Sequence, residues 1–512
     1  MARAFLFTPG DGRPTANAFW MPDHAQIIPR VEKALRENGM EPVWLHSTHV
    51  AVHSWAMAKE VGRKLLDQAQ SGDALVVLMT GWAWPEHSGI LFTMNQDKIR
   101  SGELPLIQIC NLKEKAPGYV GQRASVLNLE IQELPYSCLT IIDPSEAGWA
   151  NFAVELKAVL HGTYKVDVPR VEIEVTGQHE RTAREAIRFL KEAGSVIPFI
   201  NVASLHMAQG WPNLYEFKKM GLTPIFIGSN EFWKLMSDVP LRRVLGAYEW
   251  LQGHGLQFIY EEDGLCEEEI FQALRMYLAK LKLFEDGAAG MGTQGMMDTT
   301  SVLVATDLSE SLMMSTDSPF KERPVIDVTE ADCEALGTSM LAQAILYVKF
   351  GKWLPVGFHD IRHYNPAEDT LVLLNSGALA LDFMTDTPAD YRDIRAVSQN
   401  RQVYYLNGGA CIEGNMRARE NACLFRLHGK GSTYTMVAAQ INILPLTWEK
   451  RREVYGELDH WPMGIVQMPK GKTRATTLSW IPNHGHHTNE NILPELKAAC
   501  HLLGYGFHCF AA

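Results

Sequence analysis

Apolar and polar positions alternate in two different rhythms along this chain, and the change comes about two-thirds of the way through. Over residues 1–350, short apolar runs are separated by stretches of helical period. Phe5-Leu6-Phe7, Val43-Trp44-Leu45, the unbroken run 74–79, and the runs 106–109 and 139–142 are expected strands. Continuous runs of this kind suit a parallel sheet buried on both faces. Helices are expected between them, from a cap at Asp23 to Asn38, over 54–69 and over 145–160. Residues 1–165 therefore read as one doubly wound domain. Val166-Asp167-Val168-Pro169 reads as a connector. A second alternating series follows, with strands at 171–175, 196–200 and 225–227 and helices over 180–193 and 267–284. In the last helix Ile270, Phe271, Leu274, Leu278 and Leu281 form one stripe, and Glu267, Glu268 and Glu269 suit its positive N-terminal end.

From Leu371 onward short β-like runs (371–374, 403–406, 434–437, 441–444, 465–468) are divided by Gly, Asn and charged turns, and a helix over 491–503 follows. That texture is antiparallel in character. The expected fold is α/β, with two doubly wound parallel-sheet domains (1–165 and 166–350) followed by a mixed, β-rich α+β or barrel-like C-terminal domain (351–512).

Composition narrows the function classes. The chain has 512 residues, too many for one ordinary core. Its net charge of −12 provides no diffuse basic field for nucleic acid or an anionic membrane. No apolar run reaches the roughly 18 residues of a membrane span. The first ten residues have too short an apolar core for a signal peptide and read as a strand. The eight cysteines are scattered with no CxxC pair, which suits buried free thiols in a reducing cytoplasm.

Candidate chemistry gathers around two carboxylates. Val325-Ile326-Asp327-Val328 is a short β-rich run ending in Thr329-Glu330-Ala331-Asp332, and Leu354-Pro355-Val356-Gly357-Phe358 delivers His359-Asp360-Ile361-Arg362. Between them 335–347 reads as a helix. Such a strand–helix–strand unit would place both acids on one edge of a parallel sheet, where open α/β folds bind ligands. Two acids there repel, and a divalent cation is one remedy; the plainer reading is a surface capping acid and a loop aspartate. Asn483-His484-Gly485-His486-His487 is the densest histidine cluster, and one imidazole could complete a metal site or simply lie in a solvated loop. Trp82, after the run 74–79, offers a face for a sugar ring or a core side chain. Arg13, after the first strand, is an anion or hydroxyl ligand or a surface residue. His460-Trp461-Pro462 is a further polar–aromatic turn. Gly290-Met291-Gly292-Thr293-Gln294-Gly295 matches GxGxxG, but it follows a helix and opens none, so a flexible glycine loop near a pocket is the better expectation. No GxSxG elbow is present.

Taken in order, these anchors resemble the L-fucose isomerase family, itself related to the L-arabinose isomerases. Asp11-Gly12-Arg13 looks like the family's Asp-Gly-Arg, and Trp82 falls at its aromatic turn. Thr329-Glu330-x-Asp332 is similar to its Thr-Glu-Asn-Asp, and Asp360-Ile361-Arg362-x-Tyr364 to its Asp-Val-Arg-x-Tyr. Asn375-Ser376-Gly377, Trp461-Pro462 and Asn483-His484-Gly485 complete the set. The resemblance implies a Mn²⁺-dependent (or other divalent cation) aldose–ketose isomerase, homo-oligomeric as a hexamer or trimer. It would act on an open-chain monosaccharide through a cis-enediol(ate). Glu330, Asp360 and His484 would be the metal ligands, and Glu330 and Asp360 would also handle the proton. Arg13, Trp82, Trp461, Asn483 and His487 would contact substrate. Ala331 stands where the family has asparagine, and Ala289 where it has a glutamine, so a different hexose, modified or anionic, is one expectation. The rival readings are a non-catalytic sugar-binding or regulatory protein and an NAD(P)-dependent dehydrogenase built on the glycine segment.

Overall fold

The apolar run Ala74–Met79 is buried along its whole length because it lies at the centre of a parallel sheet. That sheet comprises β1 (Ala2–Phe7), β2 (Met40–Trp44), β3 (Ala74–Met79), β4 (Leu106–Asn111) and β5 (Ser137–Ile141) in the spatial order 2-1-3-4-5. The order reverses between β1 and β3, which opens a crevice at their C-terminal ends. The computed structural model describes residues 1–112, 118–164, 170–261, 264–401, 403–455, 460–469 and 471–511. The expected connector at 166–169 lies outside them.

The first helix, α1 (Pro14–Glu37), starts well before Asp23. Pro14 is suited to the first helical turn, where its missing N–H costs nothing. Pro22 and Pro29 lie inside the helix, which obscures its start in the sequence. Its buried stripe (Ile27, Val31, Leu35) covers the sheet.

A second parallel sheet contains β6 (Ser195–Ile200) and β7 (Leu222–Ile227). β8 (Gln257–Phe258) leaves it, and β9 (Gly290–Thr293) and β10 (Ile326–Thr329) return, giving the order 10-9-6-7. Both expectations about its flanks need correction. Residues 171–175 form no strand; Val171 makes one backbone bond to Cys509 and the rest is irregular. The glycine segment is not a flexible loop either. Gly290–Thr293 is a buried strand, and a Cβ on Gly292 would press on Phe199 and Val328 at 3.1 Å. These glycines allow close strand packing, so the dehydrogenase reading loses its only motif.

Helix α2 (Glu267–Glu285) braces β10. Lys280 Nζ donates to Asp327 Oδ2 at 2.7 Å, with both side chains fully buried. Removing one partner of a buried pair costs more than removing both. Lys280→Met is expected to lose about 3–5 kcal/mol in urea unfolding, and Lys280→Met/Asp327→Leu to lose distinctly less. Equal losses in the two variants would refute this role.

Helix α3 (Asp307–Met314) and the long α4 (Cys333–Phe350) flank β10. α4 does not return the chain to the same sheet, because Gly351 ends it in the left-handed conformation and the chain enters a separate antiparallel layer. The acids at 330 and 360 therefore lie on different sheets, contrary to the strand–helix–strand expectation.

That last layer begins with β11 (Gly357–Asn365) and β12 (Thr370–Leu374). A small side sheet of β13 (Arg395–Ser398) and β14 (Ala410–Glu413) takes in β8. The remaining strands are β15 (Arg419–Lys430), β16 (Thr433–Leu444), β17 (Met463–Gln467), β18 (His484–Thr488) and β19 (Gly506–Cys509). The order 15-18-11-12-17-16, with β16 pairing back to β15, closes a six-stranded circuit, and β19 adds to β16. Closure leaves none of those six strands as a bare edge. The two runs expected at 434–437 and 441–444 are one strand, β16, and 403–406 is a turn. The fold is thus α/β with two parallel sheets and a mixed, strand-rich C-terminal layer. All eight cysteines are free; Cys266 is exposed, Cys138 is half-buried and the rest are buried. No helix among the described residues is long and apolar enough to cross a membrane.

Candidate functional site

All three layers meet at one cleft. The crevice between β1 and β3 contributes Arg13 and Trp82, the end of β10 contributes Glu330, and the closed sheet contributes Asp360, Arg362, Trp461 and His484. Each arrives for a local reason. Glu330 and Ala331 both have positive φ (64° and 47°) in the turn from β10 into α4. That conformation is strained for residues with a Cβ, and here it turns the Glu330 carboxylate out of the strand line. Asp360 and His484 face each other as a cross-strand pair on β11 and β18.

The contacts are polar and buried. His484 Nε2 lies 3.4 Å from Asp360 Oδ1 and 3.6 Å from Glu330 Oε2. On the other side of the ring, Nδ1–H donates to Asp332 Oδ2 at 2.6 Å. Asn483 Nδ2 approaches Nε2 at 3.1 Å, and its own Oδ1 accepts from Gln209. Together these bonds put a proton on Nδ1 and turn Nε2 toward the two acids. Asp332 also caps α4 through Ala335 N at 2.8 Å and accepts from Arg426 Nη2 at 2.7 and 2.8 Å. Asp360 Oδ2 meets Arg362 Nη2 at 3.1 Å, while Oδ1 is buried with no hydrogen-bond partner among the described residues.

Burial pushes the Glu330 carboxyl up to about 7; Asp360 and Asp332 add to the rise, and His484 opposes it. Asp332 goes the other way. Burial disfavours its charge, but Arg426 and His484 outweigh that and hold it well below the usual carboxylate range. For His484 burial works against the charged ring, yet the bond to Asp332 and the nearby acids raise it. The space beside Nε2 therefore attracts positive charge.

The expected site residues divide cleanly. Arg13, Trp82, Glu330, Asp360, Trp461 and His484 all line the cleft. Arg13 is held by Asp11 at 2.8 and 2.6 Å and lies over the Tyr404 ring. Trp461 Nε1 donates to Gln399 at 2.7 Å, and Gln399 donates in turn to the buried Asp307. Asn483 sits behind His484 and steadies it, and does not line the cleft. His487 must be corrected outright. Strand alternation turns it to the opposite face from His484, where it contacts His359 at 2.5 Å and the Phe383 ring, away from the cleft. Arg362, Tyr404 and Arg426 were not foreseen as site residues. Arg362 had a signal, two positions beyond Asp360 on an extended segment, and so did Arg426, a charge inside the apolar run Leu424-Phe425-Arg426-Leu427.

The donors fit a hard divalent cation in type: two carboxylates and an imidazole whose second nitrogen is fixed by a carboxylate. The orphaned Asp360 Oδ1 is consistent with a missing positive partner. In spacing they are looser. Among the described residues, no group of three or more His, Cys, Asp or Glu side chains stands close enough to hold a metal ion without adjustment. No family model and no curated protein matches the chain.

Proposed function

We propose that the protein is a metal-dependent aldose–ketose isomerase acting on an open-chain monosaccharide, in keeping with the resemblance to L-fucose isomerases. One observation carries the proposal: Glu330, in the turn after β10, and Asp360 and His484, on two strands of the closed sheet, meet in one buried cleft beside Arg13, Trp82 and Trp461. Glu330, Asp360 and His484 would hold Mn²⁺ or a similar divalent cation. Bound there, the cation would supply Lewis-acid polarisation of the sugar's carbonyl and neighbouring hydroxyl, acidifying C2–H.

The chain's own residues do the rest. One carboxylate of the Glu330–Asp360 pair takes the C2 proton, and the pair returns a proton to C1 by way of a cis-enediol(ate). Asp332 keeps the His484 ring in one orientation and tautomer. Arg13 and Arg362 offer N–H groups and positive charge to substrate oxygens, which would also suit an anionic hexose. Trp82 and Trp461 wall the cleft against water. The open space is small, about 40 Å³, or room for about three waters at roughly 10–15 Å³ each. A sugar therefore enters only if the lining parts, and the unbranched Met296 is the most adaptable wall residue. The looseness of the three donors favours one rival, a sugar-binding protein without catalysis. By the same resemblance we propose a homo-oligomer.

A panel of neutral and anionic aldoses incubated with Mn²⁺ in D₂O and followed by NMR separates the readings. The expected result is a ketose from at least one aldose, abolished by chelator, with deuterium next to the carbonyl. Sugar binding without any ketose, in protein shown to hold the metal, would establish the non-catalytic reading.

A further inference from the structure

A second cleft, of about 260 Å³, lies where β15, β16 and β19 run side by side. Its lining sets basic and hydroxyl side chains beside the apolar Ile481 and Phe510. His428 stands opposite Thr435 in the β15–β16 ladder, and His508 stands opposite Val437 on β19. Side-chain alternation then places His428, Lys430, Thr435 and His508 on one face of the sheet. Arg170 and Ser479 complete the rim. Arg170 is brought there by its neighbour, as Val171 N donates to Cys509 O and ties that segment alongside β19.

No carboxylate lines this cleft among the described residues. Glu130 reaches Lys430 only at 4.0 Å. The histidines carry no charge to spare. Burial holds His428 down to about 3, and burial together with Arg170 and Lys430 lowers His508. Two further polar atoms lack partners among the described residues: Ser479 Oγ, and His428 Nε2, the acceptor nitrogen of a fully buried neutral ring whose Nδ1–H donates to Gly429 O. Two cations and two hydroxyls, one of them the unmet Ser479 Oγ, thus line a space that no carboxylate enters among the described residues. Convergent like charge is costly, and a buried unmet donor costs about 1–3 kcal/mol. An anion with several acceptor oxygens relieves both at once, and a tetrahedral one offers the most acceptors per unit volume.

We propose that this cleft binds a phosphate-class dianion, either inorganic phosphate or the monoester group of a small metabolite. The site is separate from the Glu330 cleft and does not depend on the isomerase reading.

Titration calorimetry on the full chain in low-chloride buffer tests it, with inorganic phosphate in one arm and a hexose 6-phosphate in the other. The expected result is one saturable site for at least one of them. Affinity should fall at least about tenfold in Arg170→Gln/Lys430→Gln and be largely kept in Lys430→Arg. It should also survive in Arg362→Gln, which alters only the other cleft. Tighter binding of the ester identifies a phosphorylated metabolite as the ligand; equal or weaker binding identifies free phosphate. Both substituted side chains are exposed, and the single variants provide the same reading if the double variant unfolds. The proposal is overturned if neither probe binds below about 10 mM, or if binding is unchanged in Arg170→Gln/Lys430→Gln.

Discussion

Glu330→Gln is expected to lower kcat for aldose-to-ketose conversion by about 10³-fold or more, while making the metal-free protein more stable at neutral pH. Glutamine keeps the shape of the side chain at this strained turn but removes both a metal donor and a proton acceptor. The stability half of the result follows from linkage. The carboxyl is pushed up to about 7 in the folded chain, mainly by burial, against an ordinary value near 4.3. Between those two values the unfolded chain has lost this proton and the folded chain still holds it. Stability contributed by the group is therefore full below about pH 4 and declines as pH rises towards 7, by up to about 3 kcal/mol. Glutamine has no such decline. In chelator-treated protein, urea unfolding should show the variant ahead of wild type at pH 7.5 and level with it near pH 4.5. Wild-type turnover in the variant would remove Glu330 from the chemistry; a variant less stable than wild type at pH 7.5 would contradict the burial argument.

Asp332→Asn should be the most damaging single change near the site. Asparagine can still cap α4, but it leaves the fully buried Arg426 guanidinium without its bidentate anion. Glu334 is the only other carboxylate paired with Arg426 among the described residues, at 3.8 Å, and burial pushes it up to about 7. The expected loss is about 3–5 kcal/mol, read from urea midpoints. Mn²⁺ affinity should drop about 10–100-fold, as is usual when the partner behind a histidine ligand is altered. Pairing the change with Arg426→Met should recover part of the stability and none of the affinity. A loss below about 1 kcal/mol, the range of an exposed pair, would show that the Arg426–Asp332 pair is not acting as a buried one.

Where burial coincides with hydrophobicity, the chain was legible before its structure. Ala74–Met79 is a strand with the expected ends, and the helix expected over 267–284 differs by one residue. Two of the failures share one cause: interior positions filled by residues that look exterior. His484–Thr488 has five polar or small residues and reads as a loop, yet each is buried because the strand is inserted between β11 and β15, both distant in sequence. Gly290–Thr293 reads as a hinge because glycine is permissive, although here it serves close packing. The carboxylates and His484 could be named from their motifs. That Asp332 would orient the imidazole, that Arg426 would hold Asp332, and that His487 would face away all depend on strand register, which no local pattern carries.

The meeting of three layers at one cleft also governs when the site can come into being. Arg13 belongs to the first sheet, Glu330 to the second and His484 to a late strand of the closed circuit. During synthesis the first sheet can fold as soon as β5 is made, but the pocket has no third wall until β18 closes against β11 and β15. Shorter products of this chain, however well folded, would display the crevice between β1 and β3 as an open groove with its tryptophan uncovered. The full set of donors would come together all at once, when β18 pairs.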